Sequence, residues 1–267
     1  MICKNKILLL FSVLFFKAIF SFSQGEFETE REPDEYFINS FGAKLNSNGF
    51  GLYYSFSQRV NFRLRRVYEA EYNFVKDPKE IRLANVSNSY SNPRYFIYGK
   101  LNSVHNIKLG YGYNRMIFEK RDKNSISIHL LSTYGLSLSF AKPIYYEYID
   151  YIKRDTVRDK FLSDDVLNLR NREIIGKAPM FIGFKEIKVH PGIYAKFGAA
   201  VDFSQSMLKT NVIEVGVCAE GFLNGIEIMY GNKKHFFFSL YLAYHFGTKE
   251  NAKLDKDYRK ELRKNNK

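Results

Sequence analysis

Residues 125–143, SISIHLLSTYGLSLSFAKP, decide how this chain is read. The even-numbered positions are Ile126, Ile128, Leu130, Ser132, Tyr134, Leu136, Leu138 and Phe140, and the odd-numbered ones are mostly small or polar. A period of two with one oily side is a β-strand, yet the run is about three times the usual ~5–6 residues of a globular strand. A strand crossing a bilayer at a tilt needs ~9–11 residues before it reaches any loop. The length therefore points to a strand in lipid, with the serines and His129 on its inward side.

The pattern recurs in both directions. Upstream, Phe37, Phe41, Ala43 and Leu45 share one side, the turn NSNG follows, and Phe50, Leu52, Tyr54 and Phe56 continue as the return strand of a hairpin. A third strand sets Phe62, Leu64, Tyr68, Ala70, Tyr72 and Phe74 against Arg63, Arg65, Glu69, Glu71 and Asn73. A fourth, from about 104 to 118, sets Ile107, Leu109, Tyr111, Tyr113 and Ile117 against Asn106, Lys108, Gly110, Gly112 and Asn114.

Downstream, Ile193, Ala195, Phe197, Ala199, Val201 and Phe203 oppose Tyr194, Lys196, Gly198, Ala200 and Asp202. In the seventh strand Ile213, Val215, Val217 and Ala219 oppose Glu214, Gly216, Cys218 and Glu220, and a bulge is expected over 221–225, after which Ile226 and Ile228 resume the apolar side. The eighth carries Phe236, Phe238, Leu240, Leu242, Tyr244 and Phe246 on one side and Ser239, Ala243 and His245 on the other.

Eight strands with alternating faces predict an all-β fold, an eight-stranded antiparallel transmembrane β-barrel of outer-membrane type. The connections after strands two, four and six (SQRVN, EKRDKN, SQSMLK) are short, and those after strands three and five (76–103 and 141–189) are long. Short periplasmic turns and long outer loops are the rule in such barrels, so the parity predicts two long extracellular loops and places both chain ends in the periplasm. The second loop is read as irregular, with a short helix capped at Ser163. A soluble barrel of lipocalin type would turn the Phe-rich faces into a cavity too narrow for them.

Bulk composition agrees. With 25 Phe, 20 Tyr and no Trp in 267 residues, the chain is rich in strand-forming aromatics. Residues 1–23 have the basic, apolar and small-residue order of a signal peptide. Residues 24–35 read as an acidic periplasmic leader, 36–246 as the barrel and 247–267 as a basic periplasmic tail. Losing Lys4, Lys6 and Lys17 with the signal lowers the net charge from +13 to +10. Export argues against nucleic acid as the partner of that charge and favours outer-membrane lipid and lipopolysaccharide. Mature chains keep Cys218 alone, so no internal disulfide is expected. A mean hydropathy of −0.32 does not argue against the membrane, because alternating strands keep the mean low.

The inward faces collect Lys44, Arg63, Arg65, Glu69, Glu71, Lys108, His129, Lys196, Asp202, Glu214, Glu220 and His245. An eight-stranded barrel is just wide enough for side chains to fill it, so these groups are expected to form a packed, salt-bridged lumen rather than an aqueous pore. A narrow selective channel stays open as an alternative. So does a lipid A-modifying hydrolase built on Ser127, His129 and Ser137 with His245 and Glu214 on nearby strands, although serine is also the simple small polar filler of a crowded lumen. His105, His129, His190, His235 and His245 show no metal-ligand spacing, and no cofactor is expected. In the tail, Leu254, Tyr258 and Leu262 recur at every fourth residue, the stripe of an amphipathic helix suited to docking a partner.

The segments KDPKEIRLAN, YGKLNSVHNIKLGYGYNR, YGLSLSFAKPIYYEYI and EIKVHPGIYAKFGAAVDFS together resemble an uncharacterised family of small outer-membrane β-barrels from Bacteroidota. The resemblance implies an outer-membrane location and a role as an accessory barrel beside larger envelope machines for barrel assembly or secretion. It would make other outer-membrane or periplasmic proteins the partners, reached through the termini and long loops, and it supplies no catalytic residues.

Overall fold

The computed structural model of the chain describes residues 36–85, 94–119, 125–169, 171–204 and 209–251. In chain order its strands are β1 (Tyr36–Asn46), β2 (Gly49–Arg59), β3 (Leu64–Val75), β4 (Arg82–Asn85), β5 (Arg94–Ile97), β6 (Asn102–Phe118), β7 (Ser127–Pro143), β8 (Tyr145–Asp150), β9 (Asp155–Lys160), β10 (Arg172–Lys177), β11 (Lys188–Asp202), β12 (Lys209–Met229) and β13 (Asn232–Asn251). One short helix, α1 (Asp164–Leu169), precedes β10.

Strands β1, β2, β3, β6, β7, β11, β12 and β13 each pair antiparallel with their neighbours, and β1 pairs with β13 from Tyr36↔Asn251 to Asn46↔Tyr241. The sheet therefore closes, which removes the unpaired edges that lipid does not tolerate. The connections after β2, β6 and β11 lie at the same end as Tyr36 and Asn251, and the two long connections lie at the other. This is the eight-stranded antiparallel barrel with two long loops expected from the alternation. Its last strand continues five residues past Phe246, because 247–251 pair with the start of β1.

Polarity is inverted relative to a water-soluble barrel. Phe41, Leu52, Tyr72, Leu109, Leu136, Ile193, Val215 and Phe238 stand outward on the eight successive barrel strands and are exposed, Phe238 by 77%, whereas Lys44, Lys108 and Glu214 on the inward side are each 1% exposed. At the turn end the outer wall carries an aromatic belt, with Phe56–Tyr68 ring centres 6.3 Å apart, Tyr68–Tyr111 5.2 Å, Phe203–Tyr244 6.4 Å and Tyr244–Phe246 6.5 Å. Such girdles mark the interfaces of a transmembrane barrel.

Two expectations are corrected. Arg63 does not enter the lumen: it lies exposed in the turn before β3, whose first residue is Leu64, so the inward parity of Arg65 and Glu69 does not extend back to it. The bulge in β12 is present, between Gly221 and Ile226. It leaves Ile226 and Ile228 buried with Val75, Val104, Ala141 and Phe222 rather than facing lipid.

The long connections fold on themselves. Strands β4 and β5 form a hairpin, and β8–β9–β10 form a three-stranded sheet where an irregular loop with one helix was expected. The helix is there, its first backbone bond running from the Leu167 N–H to the Ser163 carbonyl at 2.9 Å. Tyr146 and Tyr148 are buried in this loop module among Ile144, Leu167 and Ile174, and burial pushes the Tyr148 hydroxyl up to about 12. At the β8–β9 turn the Asp150 carboxylate accepts the N–H groups of Ile152 and Lys153, each at 3.1 Å, and pairs with Arg172 at 3.1 Å. The Lys153 N–H above all, then Arg172 and the Ile152 N–H, hold this carboxyl below its ordinary range. A depressed carboxylate stabilises the turn above its unfolded-state value and loses that contribution as pH falls through the folded one. Amide-exchange protection at Ile152 and Lys153 is therefore expected to persist from neutral pH to about pH 4 and to fall below it.

Closure predicts a cross-link. In the variant carrying Ala43→Cys and Tyr244→Cys, partners across β1 and β13, mild oxidation is expected to join the two residues and change mobility in denaturing gels. Ala43→Cys combined with Leu136→Cys, on a strand that does not pair with β1, should give no such shift.

Candidate functional site

Lipid on the outside obliges each strand to turn its polar side inward, so the lumen is where the chain's chemistry is concentrated. Its centre is one lysine. The Lys196 ammonium, on β11, donates to Glu69 Oε2 at 2.6 Å and Glu71 Oε1 at 3.1 Å on β3, and lies 3.6 Å from Glu214 Oε1 on β12. Two further lysines extend the array: Lys44 on β1 donates to Glu71 Oε2 at 2.6 Å, and Lys108 on β6 sits 2.8 Å from Glu220 Oε1 and 3.8 Å from Glu71 Oε2. His245 Nε2 lies 2.8 Å from the remaining Glu214 oxygen.

Three tyrosines fill the spaces between the charges. The Tyr194 hydroxyl donates to Glu69 at 2.8 Å and the Tyr241 hydroxyl to Glu214 at 2.5 Å. Their ring faces also receive ammonium groups, Lys44 4.6 Å from the centre of Tyr241 and Lys196 4.7 Å from that of Tyr53. Ammonium over an aromatic face is a favourable desolvated contact. The wall makes room for these rings with glycine: a Cβ on Gly110 would stand 2.0 Å from the Tyr194 hydroxyl oxygen, and one on Gly198 2.4 Å from that of Tyr241.

Above and below, the lumen is filled differently. Towards the loop end the apolar cluster of Val75, Val104, Ala141, Phe222, Ile226 and Ile228 covers the charges. Towards the turn end Arg65 lines a cavity of about 50 Å³ together with Ser55, Glu214 and His245, Asp202 pairs with Lys249 at 3.4 Å, and Ser127 hydrogen-bonds His129 at 3.0 Å.

Of the inward residues read from the sequence, Glu69, Glu71, Lys108, Lys196, Glu214, Glu220 and His245 meet in one network, joined by Lys44. Arg65, His129 and Asp202 lie nearer the turn end, and Arg63 lies outside. Leu254, Tyr258 and Leu262 fall outside the described residues. The groups considered for hydrolysis are spread over separate contacts: Ser137 donates to Glu220 at 3.3 Å, His245 binds Glu214, and Ser127 hydrogen-bonds His129 at 3.0 Å, both of these buried in the wall. Among the described residues no set of three or more His, Cys, Asp or Glu is placed to hold a metal ion.

Sequence reading set Tyr194 on the inward side without giving it a part in the network, and passed over Tyr53 and Tyr241. The signal that finds them is parity, since each stands on the strand side that carries charge, Tyr194 two residues before Lys196. On the outer wall small residues Ser132, Ala195 and Ala219 leave a groove of about 560 Å³ between Tyr134, Phe197, Phe238 and Leu240. A second cleft, of about 450 Å³, lies where β3, β6 and β7 meet the returning loop.

A closed antiparallel wall, apolar outside and charge-packed within, defines a membrane-spanning β-barrel with a filled lumen. No protein-family model matches the chain, and neither does any curated protein. Solved structures similar in fold at low identity include three outer-membrane barrels. Neisserial surface protein A shares 9% identity over 81% of this chain and 97% of its own, with a TM-score of 0.39. Ail, the attachment invasion locus protein of Yersinia pestis, shares 7% over 82% and 100%, also at 0.39. The N-terminal β-barrel domain of Pseudomonas aeruginosa OprF shares 7% over 81% and 98%, at 0.35. At such values the likeness adds nothing to what this chain's own register and wall display.

The network sets the expected response to mutation. Lys196→Met leaves Glu69, Glu71 and Glu214 short of their common counter-charge and should cost about 3–5 kcal/mol, the scale of breaking a buried ion pair. Lys249→Met, which removes a partly exposed partner of Asp202, should cost less than about 1 kcal/mol. Urea unfolding of the refolded protein in detergent micelles, followed by tyrosine fluorescence, reads both.

Proposed function

We propose that the chain is an outer-membrane β-barrel that neither conducts nor catalyses, and that it serves as an accessory subunit of an envelope complex for barrel assembly or protein secretion. The observation that carries this reading is the sealed lumen, in which Lys44, Lys108, Lys196 and Glu214 share one hydrogen-bonded array under an apolar cover. A filled interior leaves the outer face, the loop modules and the chain ends as the surfaces through which the protein acts. The acidic leader and basic tail then lie on the periplasmic side, where a partner reaches them, and the resemblance to small accessory barrels of Bacteroidota supports the same assignment.

Two measurements test it. Planar bilayers containing the purified barrel should show no discrete conductance, and stable open channels would replace the accessory reading with the narrow-channel one. Extraction in mild detergent followed by affinity purification should recover the chain with at least one other envelope protein in fixed ratio. Recovery as a lone monomer, with the lipid A profile of a deletion strain altered, would instead favour a lipid-modifying enzyme.

A further inference from the structure

The cleft of about 450 Å³ at the loop end lies on the outside of the wall. Its floor is the outward face of β3, β6 and β7, where Tyr72, Ile107 and Phe140 stand in step with the lipid-facing positions below them. Its cover is the segment after β10, which returns down the outer wall and presents Met180, Ile182 and Phe184 to the floor. Phe181, stacked on Phe184 with ring centres 6.4 Å apart, is 84% exposed. A cover so apolar on both sides belongs in lipid rather than in water.

Two lysines, Lys142 and Lys177, line this cleft together. Three lysines of the loop end have carboxylate partners: Lys100 with Glu80 at 2.6 Å, Lys160 with Glu186 at 2.6 Å and Lys234 with Asp77 at 2.7 Å. Lys142 and Lys177 have none among the described residues. Lys142 donates to the Met180 carbonyl, and its ammonium stands 4.3 Å from the centre of the Phe184 ring. Both contacts hold the cation in the cleft and leave its charge uncompensated, with the second ammonium lining the same cleft. Two like charges beside an apolar slot, at the loop end of the lipid-facing wall, call for an anion attached to a hydrocarbon chain. The larger groove over Ser132, Ala195 and Ala219 has no outward charge and makes no such demand.

We propose that this cleft binds one lipid of the surrounding leaflet with a net-negative phosphate head group, its acyl chain against Ile107, Phe140 and Ile182 and its phosphate between Lys142 and Lys177. The proposal rests on the lipid-facing reading of the wall and goes beyond it by assigning a specific site. An ammonium near an anionic lipid surface contributes about 1 kcal/mol, so two contribute on the order of tenfold or more in affinity.

The test uses the full chain, refolded in detergent, with native mass spectrometry to measure binding of dioctanoyl phosphatidic acid, dioctanoyl phosphatidylcholine and inorganic phosphate. Phosphatidic acid should bind at least about tenfold more tightly than phosphatidylcholine. In the K142Q/K177Q variant that preference should fall to near parity while phosphatidylcholine binding is unchanged, and millimolar inorganic phosphate should not displace the lipid. Equal binding of the two lipids by the natural chain, an undiminished preference in the variant, or displacement by inorganic phosphate would each overturn the proposal. Heat-modifiable gel mobility, recorded on the same samples, reports whether the barrel itself is folded, so failure of the site is distinguished from failure of the membrane-barrel reading.

Discussion

A pleated strand presents alternate side chains to opposite sides, and in this molecule lipid claims one of them. Everything else follows from that division. Eight strands enclose a bore that side chains can fill, and the inward positions hold residues that lipid would reject. The chain meets the cost of enclosing them by pairing: three lysines, four glutamates and a histidine are brought within hydrogen-bonding or ion-pair reach across the bore, from β1, β3, β6, β11, β12 and β13. Removing any one of the charges exposes the desolvation penalty that its partners otherwise offset.

The same division explains the uneven filling of the bore. Charges dominate the middle, where wall and network are most fully enclosed. Near the loops, Phe222, Ile226 and Ile228 take over, because the bulged end of β12 rises beyond the charged layer and packs on Val75, Val104 and Ala141. The wall thins to glycine at Gly110 and Gly198 because tyrosine rings crossing the bore need that volume.

The wall was legible in the sequence and the network only in outline. Alternation in 125–143 and its counterparts located all eight barrel strands, since aromatic and aliphatic residues on one face leave a period that survives in one dimension. Which lysine meets which glutamate was not legible: Lys196 and Glu69 are 127 positions apart and meet through the stagger of the closed sheet, which no local pattern records. Arg63 was misplaced by carrying strand parity into a turn, and Ile226 and Ile228 by carrying it through a bulge. The sheet of β8, β9 and β10 escaped notice because Tyr146, Glu147 and Tyr148 are all buried, so both faces of β8 are covered and no alternation is left to read.

Lys196 also bears on how such a molecule comes to be inserted. Its carboxylate partners lie on β3 and β12, so a chain that has laid down only its first four barrel strands has Lys44 and Lys108 to set against Glu71 but lacks the lysine that pairs with Glu69. Until β11 is in place, Glu69 keeps a desolvation cost that nothing on the earlier strands offsets, so the electrostatics of the bore favour a closed sheet over a half-built one in hydrocarbon.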